Sequence, residues 1–310
     1  MSPERSAFID VGTNTVLCLI ADLRETGRFR VLDDLAEIAG LGRGVDQTGL
    51  ISAAGEEQCR LILERYREHC QNLGVEQIFA VGTSALRDAR NSAEVRARLR
   101  ERLGFEIRVI SGAEEAAYSF LAVQRGLSLT GELLVIDIGG GSTEFIRGNA
   151  KGLFAALSID VGSVRLTERF LHSDPVRAEE VAALHDAVDR ALAPLREQCS
   201  RADPALTLVG IAGTFTTLAA VEKQLERYSH AAVHGSRLSL AEVRRQIHLF
   251  QAKSIAQRQR IGGLDPKRAD VILAGACMIG RIMNFFHADS VVVSDHGVRY
   301  GLLLERAQTL

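Results

Sequence analysis

Two acidic residues on either side of three consecutive glycines are the feature of this sequence most suited to chemistry. The stretch from Leu134 to Phe145 reads LVIDIGGGSTEF, with Asp137 before the glycines and Glu144 after two hydroxyl residues. Adjacent glycines carry a large entropic cost on folding, so the pattern has two interpretations. It is either a tight hairpin turn with both acids solvated nearby, or a turn whose unobstructed N–H groups bind a close anionic ligand such as phosphate.

The common phosphate-binding motifs are absent from the sequence. There is no G-x-x-x-x-G-K-[ST], and GLGRGVDQTG at residues 40–49 lacks the lysine and follows strands instead of opening a long helix. The glycines after Asp137 do not form a dinucleotide-binding G-x-G-x-x-G unit, because the following TEFI reads as a strand. P-loop and Rossmann sites are therefore disfavoured.

A second turn with the same potential lies at TLVGIAGTFTTL, residues 207–218. The pattern predicts a buried strand that ends in a glycine-threonine turn, at Gly213 and Thr214, and then opens a helix. A helix N-terminus of this kind can hold an anion or a nucleotide. Near the end of the chain, SVVVSDHGVRYGLLLERA predicts another strand, an acidic turn and an amphipathic helix. Capping accounts for Asp295 in that turn, and no catalytic role is assigned to His296.

The elements that must position these residues alternate between strands and helices. In the first half, the patterns predict strands at residues 7–10, 16–21, 29–38, 77–81 and 106–110, and helices at 53–72, after Thr83 and from Gly112. In the second half, they predict strands at 133–137, 143–148 and 153–159, and helices at 162–170 and 176–199. This alternation indicates an α/β fold with largely parallel sheets.

The second half of the chain begins as the first half does. FIDVGTNTVLCLIAD at residues 8–22 aligns with VIDIGGGSTEFIRGN at residues 135–149, and the order of predicted strands agrees as well. We interpret this as an internal duplication. The boundary is expected in the helix around residues 120–127, which gives domains 1–123 and 124–310. The helix over 298–310 is a candidate to pack back on the first domain.

Composition limits the classes of partner. The chain has 310 residues, 46% of them hydrophobic, and a net charge of −2, so it has no overall attraction to nucleic acid or to an anionic membrane. The N-terminus lacks an apolar signal core, and no segment has the length of a membrane span. The five cysteines are scattered without a C-x-x-C pair and read as reduced thiols. We expect a cytoplasmic protein with no nucleic-acid or membrane partner.

Six segments of the chain together resemble those of a known family. They run in family order over nearly the whole sequence: IDVGTNT (9–15), GTSALRDARN (82–91), ISGAEEA (110–116), IDIGGGSTE (136–144), GIAGTFTTL (210–218) and GLDPKRADVILAGA (263–276). The paired Asp-x-Gly turns resemble the phosphate hairpins of the actin-like, sugar-kinase and heat-shock-chaperone ATPase superfamily. The full set resembles the exopolyphosphatase and guanosine pentaphosphate phosphohydrolase (Ppx/GppA) family in its short, two-domain form. The resemblance implies two duplicated actin-like (ribonuclease H-like) α/β domains with an active site in the interdomain cleft.

The resemblance also implies roles for the residues of the turns. Asp137 and Glu144 would hold Mg²⁺ or another divalent cation, directly or through water, and Asp10 would orient the first turn or a metal-bound water. Oxygen ligands of this kind suit Mg²⁺. The residues implied to bind phosphate are Gly12, Thr13, Asn14, Thr15, Gly139, Gly140, Gly141, Ser142, Thr143, Gly213 and Thr214.

Two further segments carry the implied catalytic groups. Glu115 matches the family's general base, with Glu114 as the second choice, because adjacent residues of a helix point about 100° apart and only one can face the site. Negatively charged side chains are also favoured in the first turn of a helix by the helix dipole, so both acids have an explanation without a catalytic role. Arg87 matches an arginine that stabilises charge on the transferred phosphoryl group. Several basic residues are candidates for a substrate groove or are simply solvated: Arg43, Arg90, Arg258, Arg260, Lys267 and Arg268.

The expected function is hydrolysis of phosphoanhydrides. The enzyme would release terminal orthophosphate from inorganic polyphosphate, or convert guanosine pentaphosphate to tetraphosphate, by in-line attack of water. The family also implies a homodimer. Two alternatives remain at this point: an ATP phosphotransferase of the acetate or sugar kinase type, and a regulator that binds guanosine tetra- or pentaphosphate with weak turnover.

Overall fold

The structure is a computed structural model that describes residues 4–24, 27–195 and 206–309. The described residues form two compact units. The first unit comprises the described residues of Met1–Ala122 and Gly297–Leu310, and the second unit comprises the described residues of Val123–His296. The chain therefore passes from the first unit to the second and returns for its last helix.

The first unit has a five-stranded sheet in the order β3-β2-β1-β4-β5. Its strands are β1 Glu4–Val11, β2 Thr15–Leu23, β3 Phe29–Ile38, β4 Gln77–Gly82 and β5 Ile107–Val109. Its helices are α1 Val45–Thr48, α2 Ala53–Asn72, α3 Ser84–Asp88, α4 Ser92–Leu103, the first part of α5 Gly112–Gly126, and the last helix of the chain, α13 Val298–Gln308. The first three strands are antiparallel, and β4 and β5 continue the sheet in parallel with β1.

Strand β1 is buried on both faces, which explains its nearly continuous apolar sequence. Ala7 and Ile9 pack in the core on the side of α2 and α4. Phe8, whose side chain points to the opposite face, packs with residues of α13. These two layers fix the carboxyl end of β1, where Asp10 and the first turn are located.

The second unit has a six-stranded sheet in the order β10-β11-β9-β6-β7-β8. Its strands are β6 Leu133–Ile138, β7 Thr143–Asn149, β8 Gly152–Ile159, β9 Thr207–Ile211, β10 Arg237–Ser239 and β11 Ser290–Val293. Its helices are α6 Ser163–Phe170, α7 Ala178–Leu192, α8 Ala212–Glu222, α9 His230–Val233, α10 Leu240–Gln251, α11 Ile255–Arg258 and α12 Ile272–Phe285, with a 3₁₀ turn at Pro266–Arg268.

The two sheets confirm the predicted duplication. Read from the edge strand of each antiparallel meander, the first order is β3-β2-β1-β4-β5 and the second is β8-β7-β6-β9-β11, followed by the short edge strand β10. In both, a meander of three strands leads into two parallel strands. The α/β fold with two duplicated sheets that was expected from the sequence is therefore confirmed.

Several predicted elements differ in their bounds. The helix expected after Thr83 is two helices, α3 and α4, separated by Ala89–Asn91. Asn91 accounts for the break, because its side chain bonds to the backbone N–H and C=O of Ile51 at 2.9 Å each. The helix predicted for 176–199 begins at Ala178 and α7 ends at Leu192, while the last residues of the prediction lie outside the described part of the chain.

The cysteines of the described residues form no cross-links. Cys18, Cys59, Cys70 and Cys277 are buried free thiols, and Cys199 lies outside the described residues. Among the described helices, none combines the length and apolar character that a transmembrane span requires.

Candidate active site

The turn between β6 and β7 places the two acids of the opening motif side by side. Asp137 and Glu144 are direct partners across the antiparallel ladder, so their side chains project from the same face of the sheet. Both are largely buried, with 9% and 2% of their surface exposed. The Ser158 hydroxyl of β8 donates to Glu144 Oε1 at 2.8 Å and so orients that carboxylate.

The four residues of this turn direct their backbone groups in a specific way. Gly139 N–H donates to Ser142 C=O at 3.0 Å and closes the turn. The carbonyl of Gly139 accepts from Ser163 N–H, and that of Gly140 accepts from Val164 and Arg165 N–H, at 3.0 to 3.1 Å. The amides of three residues donate to no acceptor within the described residues: Gly140, Gly141 and Ser142. Adjacent amides without internal acceptors form an anion-binding concavity.

Gly162, which sequence reasoning missed, packs directly against this turn. A Cβ atom at residue 162 would lie 2.4 Å from both the carbonyl carbon and the oxygen of Gly140. The backbone of Gly162 is extended, with φ −145°, so any residue could adopt its conformation. Glycine is therefore required at position 162 because the backbone lies so close to the Gly140 carbonyl, and not because of its backbone conformation. Only without a side chain there can the amides at the start of α6 donate to the carbonyls of the turn.

The turn between β1 and β2 repeats the arrangement in the first unit. Gly12 N–H donates to Thr15 C=O at 3.0 Å. The carbonyl of Thr13 accepts from Gly42 N–H at 2.8 Å, and that of Asn14 accepts from two amides at 2.9 Å. The amides of Thr13 and Asn14 donate to no acceptor in the described part of the chain. This turn also has its carbonyls engaged and its amides available.

The segment 40–49, rejected as a phosphate loop, has a supporting role. Gly42 binds the carbonyl of Thr13, and a Cβ at residue 42 would lie 2.3 Å from the Thr13 methyl carbon. The segment is also fixed from outside, since Arg90 donates to the carbonyl of Thr48 at 2.8 Å. Arg90, considered as a groove residue from sequence, thus stabilises the structure beneath the first turn.

Two polar side chains beside the first turn have enclosed atoms without hydrogen-bond partners among the described residues. Both amide atoms of Asn14 and the Oδ1 atom of Asp10 are enclosed and have no hydrogen bond to any described residue. Burial raises the pKa of Asp10 to about 7; the negative charge of Glu115 adds to this effect, and Arg299 opposes it. Buried polar atoms normally have partners, so these atoms indicate a polar ligand that completes the site.

The third predicted turn lies at the start of α8, at the carboxyl end of β9. This strand is the parallel neighbour of β6, and the Thr214 hydroxyl lies 3.5 Å from the carbonyl of Ile138. The helix has no side-chain N-cap. Ala212 has a φ of 67°, a left-handed conformation that is strained for a residue with a Cβ. Uncapped amides and local strain together are typical of a binding position.

Arg268 lies over this third turn. A Cβ at Gly213 would meet its guanidinium nitrogens at 2.2 and 2.3 Å, so the cation occupies the space above the glycine. Burial lowers the pKa of Arg268. A cation beside the positive end of a helix is electrostatically unfavourable, and an anion between them would relieve this. The sequence patterns gave Arg268 no specific position, because Arg268 is more than 50 residues from Gly213 along the chain.

Arg258 of the same candidate set is not a groove residue: it is buried and donates to the carbonyls of Phe250 and Ala269.

The two glutamates at the start of α5 have different environments. Glu115 is 8% exposed and accepts a hydrogen bond from Arg87 Nη1 at 2.9 Å. Burial raises its pKa, and Arg87 partly opposes that effect. Glu114 caps the helix by accepting from the N–H and hydroxyl of Ser111 at 2.9 Å, and with Arg108 these bonds lower its pKa to about 2. Glu114 is therefore engaged in structure.

The acids of the second unit fit a divalent cation with few protein ligands. Within the described residues there is no cluster of three or more His, Cys, Asp or Glu side chains that could hold a metal ion. Mg²⁺ in phosphate-transferring sites commonly takes one or two carboxylates and completes its shell with water and substrate oxygens. The paired carboxylates of Asp137 and Glu144, beside a turn with available amides, match that requirement.

Known proteins share both the sequence pattern and the fold of this chain. Residues 19–310 match the family model described as the Ppx/GppA phosphatase family. Exopolyphosphatase 2 of Mycobacterium tuberculosis is 35% identical over 99% of this chain and 100% of that protein. A guanosine-5'-triphosphate,3'-diphosphate pyrophosphatase of Vibrio atlanticus is 28% identical over 98% of this chain, which spans 60% of that enzyme's length. The crystal structure of an exopolyphosphatase from Cytophaga hutchinsonii is similar with a TM-score of 0.90, at 29% identity over 99% of this chain and 98% of that one.

Proposed function

The chain belongs to the Ppx/GppA phosphatase family, and from this we propose that it is a metal-assisted phosphoanhydride hydrolase. It releases terminal orthophosphate from inorganic polyphosphate, or converts guanosine pentaphosphate to tetraphosphate. The similarity to an exopolyphosphatase over the full length of both proteins supports this activity. The kinase-like transferase and the binding-only regulator are not favoured, because the similar proteins are hydrolases by name.

The observation that carries the proposal is the repeated turn with engaged carbonyls and available amides. It occurs once in each unit, at Thr13 and Asn14 and at Gly140, Gly141 and Ser142. A polyanion of linked phosphates offers several oxygens with high charge density, and backbone amides bind such oxygens without placing a side chain in the way. In this proposal the turn of each unit is a binding position for phosphoryl oxygens.

We assign Mg²⁺ to the carboxylates of Asp137 and Glu144, and we propose that Asp10, in the first unit, orients the turn between β1 and β2. The cation would offset the charge on the phosphoryl oxygens. Ser158 holds Glu144 in place through its hydrogen bond to Oε1. The amides of the turns and the guanidinium of Arg87 are proposed to stabilise the equatorial oxygens as charge develops on them.

Glu115 is proposed as the general base. Its carboxylate accepts a proton from water as the water oxygen attacks the terminal phosphorus in line, and the anhydride P–O bond breaks to leave the shortened chain. Burial raises the pKa of Glu115, which brings its basicity closer to working pH than that of an ordinary carboxylate. Glu114, whose pKa is lowered to about 2, is a weaker base and already has partners.

The free thiols of the described cysteines support the cytoplasm as the place of this reaction.

The test is an orthophosphate-release time course. Long polyphosphate, a short oligophosphate, guanosine pentaphosphate and ATP are each incubated with the purified protein, with Mg²⁺ or with a chelator. We expect metal-dependent release of orthophosphate from polyphosphate or guanosine pentaphosphate. Asp137→Asn should need a far higher Mg²⁺ concentration for the same rate. Asp186→Asn, which changes an exposed acid on α7, is the control and should release phosphate as the wild type does. A folded protein that releases no phosphate from any of the first three substrates would overturn the proposal.

A further inference from the structure

The last helix of the chain packs directly against the helix that carries Glu115. α13 contains Gly301, although glycine is disfavoured inside a helix. A Cβ atom at residue 301 would lie 2.3 Å from the carbonyl oxygen of Tyr118 and 2.6 Å from its Cα atom. The backbones of α13 and α5 therefore approach each other so closely at Gly301 and Tyr118 that no side chain fits between them.

This approach lies one helical turn from Glu115. Tyr118 follows Glu115 by three residues in α5, and residues at that spacing are neighbours on the surface of a helix. Tyr118 and Ala122 also pack with Leu302 and Leu303 of α13 in one apolar cluster. The contact with α13 therefore sets the place of the helix from which the Glu115 side chain projects.

A polar network joins the two helices at the same place. The Tyr118 hydroxyl donates to Glu305 Oε2 of α13 at 2.9 Å and accepts from Arg108 Nη2 at 3.2 Å. Arg108 also pairs with Glu114 in the first turn of α5. Because these bonds fix side chains on one face of α5, they restrict the rotation of the helix about its axis as well as its position.

α13 is itself fixed to the sheet of the first unit. Arg299 donates to both carboxylate oxygens of Asp34 in β3, at 2.7 and 2.9 Å, and the Tyr300 hydroxyl donates to the same carboxylate at 3.0 Å. Arg299 is 4% exposed. A two-pronged pair of this kind has a specific geometry, and terminal segments are well ordered when they are tied down. The last helix is therefore a fixed support for α5.

We propose that Gly301 is a positioning residue for Glu115. Its missing side chain lets α13 rest on the backbone of α5 at Tyr118, and this holds the carboxylate of Glu115 at hydrogen-bond distance from Arg87. Glu305 supports the same position through its bond to Tyr118. Both residues act through α5 and not by contact with the substrate. The inference rests on the proposed function for the role of Glu115 as the base, but the position of Glu115 is measurable without the reaction.

A double-mutant cycle tests whether Gly301 acts through Glu115. In Gly301→Ala the added methyl group displaces the two helices from each other, so kcat for phosphate release should fall about tenfold or more, since a displacement of about 1 Å can cost 10²-fold. KM should stay nearly constant, because the phosphate-binding turns keep their places. In the Glu115→Gln background the same substitution should not lower the residual rate further. Equal losses in both backgrounds would show that Gly301 acts elsewhere and would overturn the proposal.

Carbon-13 NMR of the Glu115 carboxyl group gives a test without the reaction. Its resonance, assigned by its loss in Glu115→Gln, should shift at fixed pH in Gly301→Ala. It should stay in place in Gly297→Ala, the matched control at the start of α13, where φ is −133° and no atom lies within 4 Å of the added methyl. An unchanged resonance in Gly301→Ala would overturn the proposal whatever the rate. The expected shift in a protein that releases no phosphate would support the positioning and contradict the proposed function alone.

Glu305 provides a second pair of variants if Gly301→Ala does not fold. Glu305 is exposed, so Glu305→Ala removes the acceptor of the Tyr118 hydroxyl without opening a cavity. It should lower kcat by about two- to fivefold, the effect of one hydrogen bond, and shift the Glu115 resonance. Glu305→Gln keeps an acceptor oxygen and should behave as the wild type. A Glu305→Ala variant with the kcat and the resonance of the wild type would overturn the proposal in that case.

Discussion

Arg87 Nη1 donates a hydrogen bond to Glu115 Oε2 across 2.9 Å and, from the same nitrogen, to the carbonyl of Ile110 at 3.1 Å. The second bond holds the guanidinium in place, so the carboxylate is positioned by a fixed cation and not by a mobile surface side chain. Two opposing effects then act on Glu115: burial raises its pKa, and Arg87 lowers it. Positioning and basicity of the proposed base are thus controlled by the same residue.

Replacing the proposed base should separate the two neighbouring glutamates. Glu115→Gln keeps the size of the side chain but removes the proton acceptor, so kcat for phosphate release should fall by about 10²- to 10⁴-fold, the usual contribution of a general base. Glu114→Gln should retain most of the activity and instead lower thermal stability slightly, because it weakens the cap on Ser111. Initial rates at saturating Mg²⁺ test this. Equal losses in both variants would contradict the assignment of Glu115.

Replacing Arg87 should shift the pH dependence of the reaction. Without the cation, burial acts unopposed and the pKa of Glu115 rises further. The base must be deprotonated to accept a proton, so the acidic limb of the kcat/KM profile should move to higher pH in Arg87→Met. A loss of rate through mispositioning alone would lower the whole profile and leave the position of its acidic limb unchanged.

The control for this shift is Arg108→Met in the same unit. Arg108 pairs with Glu114, so its replacement removes one positive charge without touching the contact between Arg87 and Glu115. The pH profile of this variant should match that of the wild type. A comparable shift in both variants would indicate a general electrostatic effect and not the contact of Arg87 with the base.

The close approach of Gly162 to Gly140 predicts a strong effect from one methyl group. In Gly162→Ala, the added Cβ would lie 2.4 Å from the Gly140 carbonyl, so the turn must move. Overpacking of this kind costs about 1–3 kcal/mol, and a displacement of about 1 Å at a reacting group can cost 10²-fold in rate. Phosphate release should fall at least tenfold, with a lower Tm for the second unit. Gly262→Ala, where no atom lies within 4 Å of the added methyl, should change neither.

The parts of the site that sequence could predict are those formed by short, continuous segments. Asp137 and Glu144 become neighbours because a short turn separates two adjacent strands, and alternation along a strand fixes which residues share a face. The duplicated order of strands followed from the repeated motif and is confirmed by the two sheets. Which of Glu114 and Glu115 is buried could not be predicted, because their rotation about the helix depends on how α5 packs.

The parts that sequence could not predict depend on contacts between distant segments. Gly162 is 22 residues from Gly140, and Arg268 is 55 residues from Gly213, yet each packs directly against its partner. Single-sequence patterns report local periodicity and turns, so they contain no signal for such approaches. Gly42 is a further case: its segment was correctly rejected as a phosphate-binding loop, but the local pattern contains no sign that its N–H binds the carbonyl of Thr13.

The buried carboxyl of Asp10 predicts a pH dependence of stability. Its pKa is about 7 in the folded protein, against 3.8 for an ordinary aspartate, so between these values the folded state binds more protons than the unfolded state. The free energy of unfolding contributed by this group therefore falls as pH rises from about 4 to about 7. Asp10→Asn cannot ionise and should be more stable than the wild type at pH 8, by on the order of 1–3 kcal/mol, with the difference vanishing near pH 4. Urea unfolding in the presence of a chelator measures the free energy of unfolding of both proteins at each pH, with Asp186→Asn as the control at an exposed acid. If the difference between Asp10→Asn and the wild type stays constant from pH 5 to pH 8, Asp10 ionises normally and the prediction is wrong.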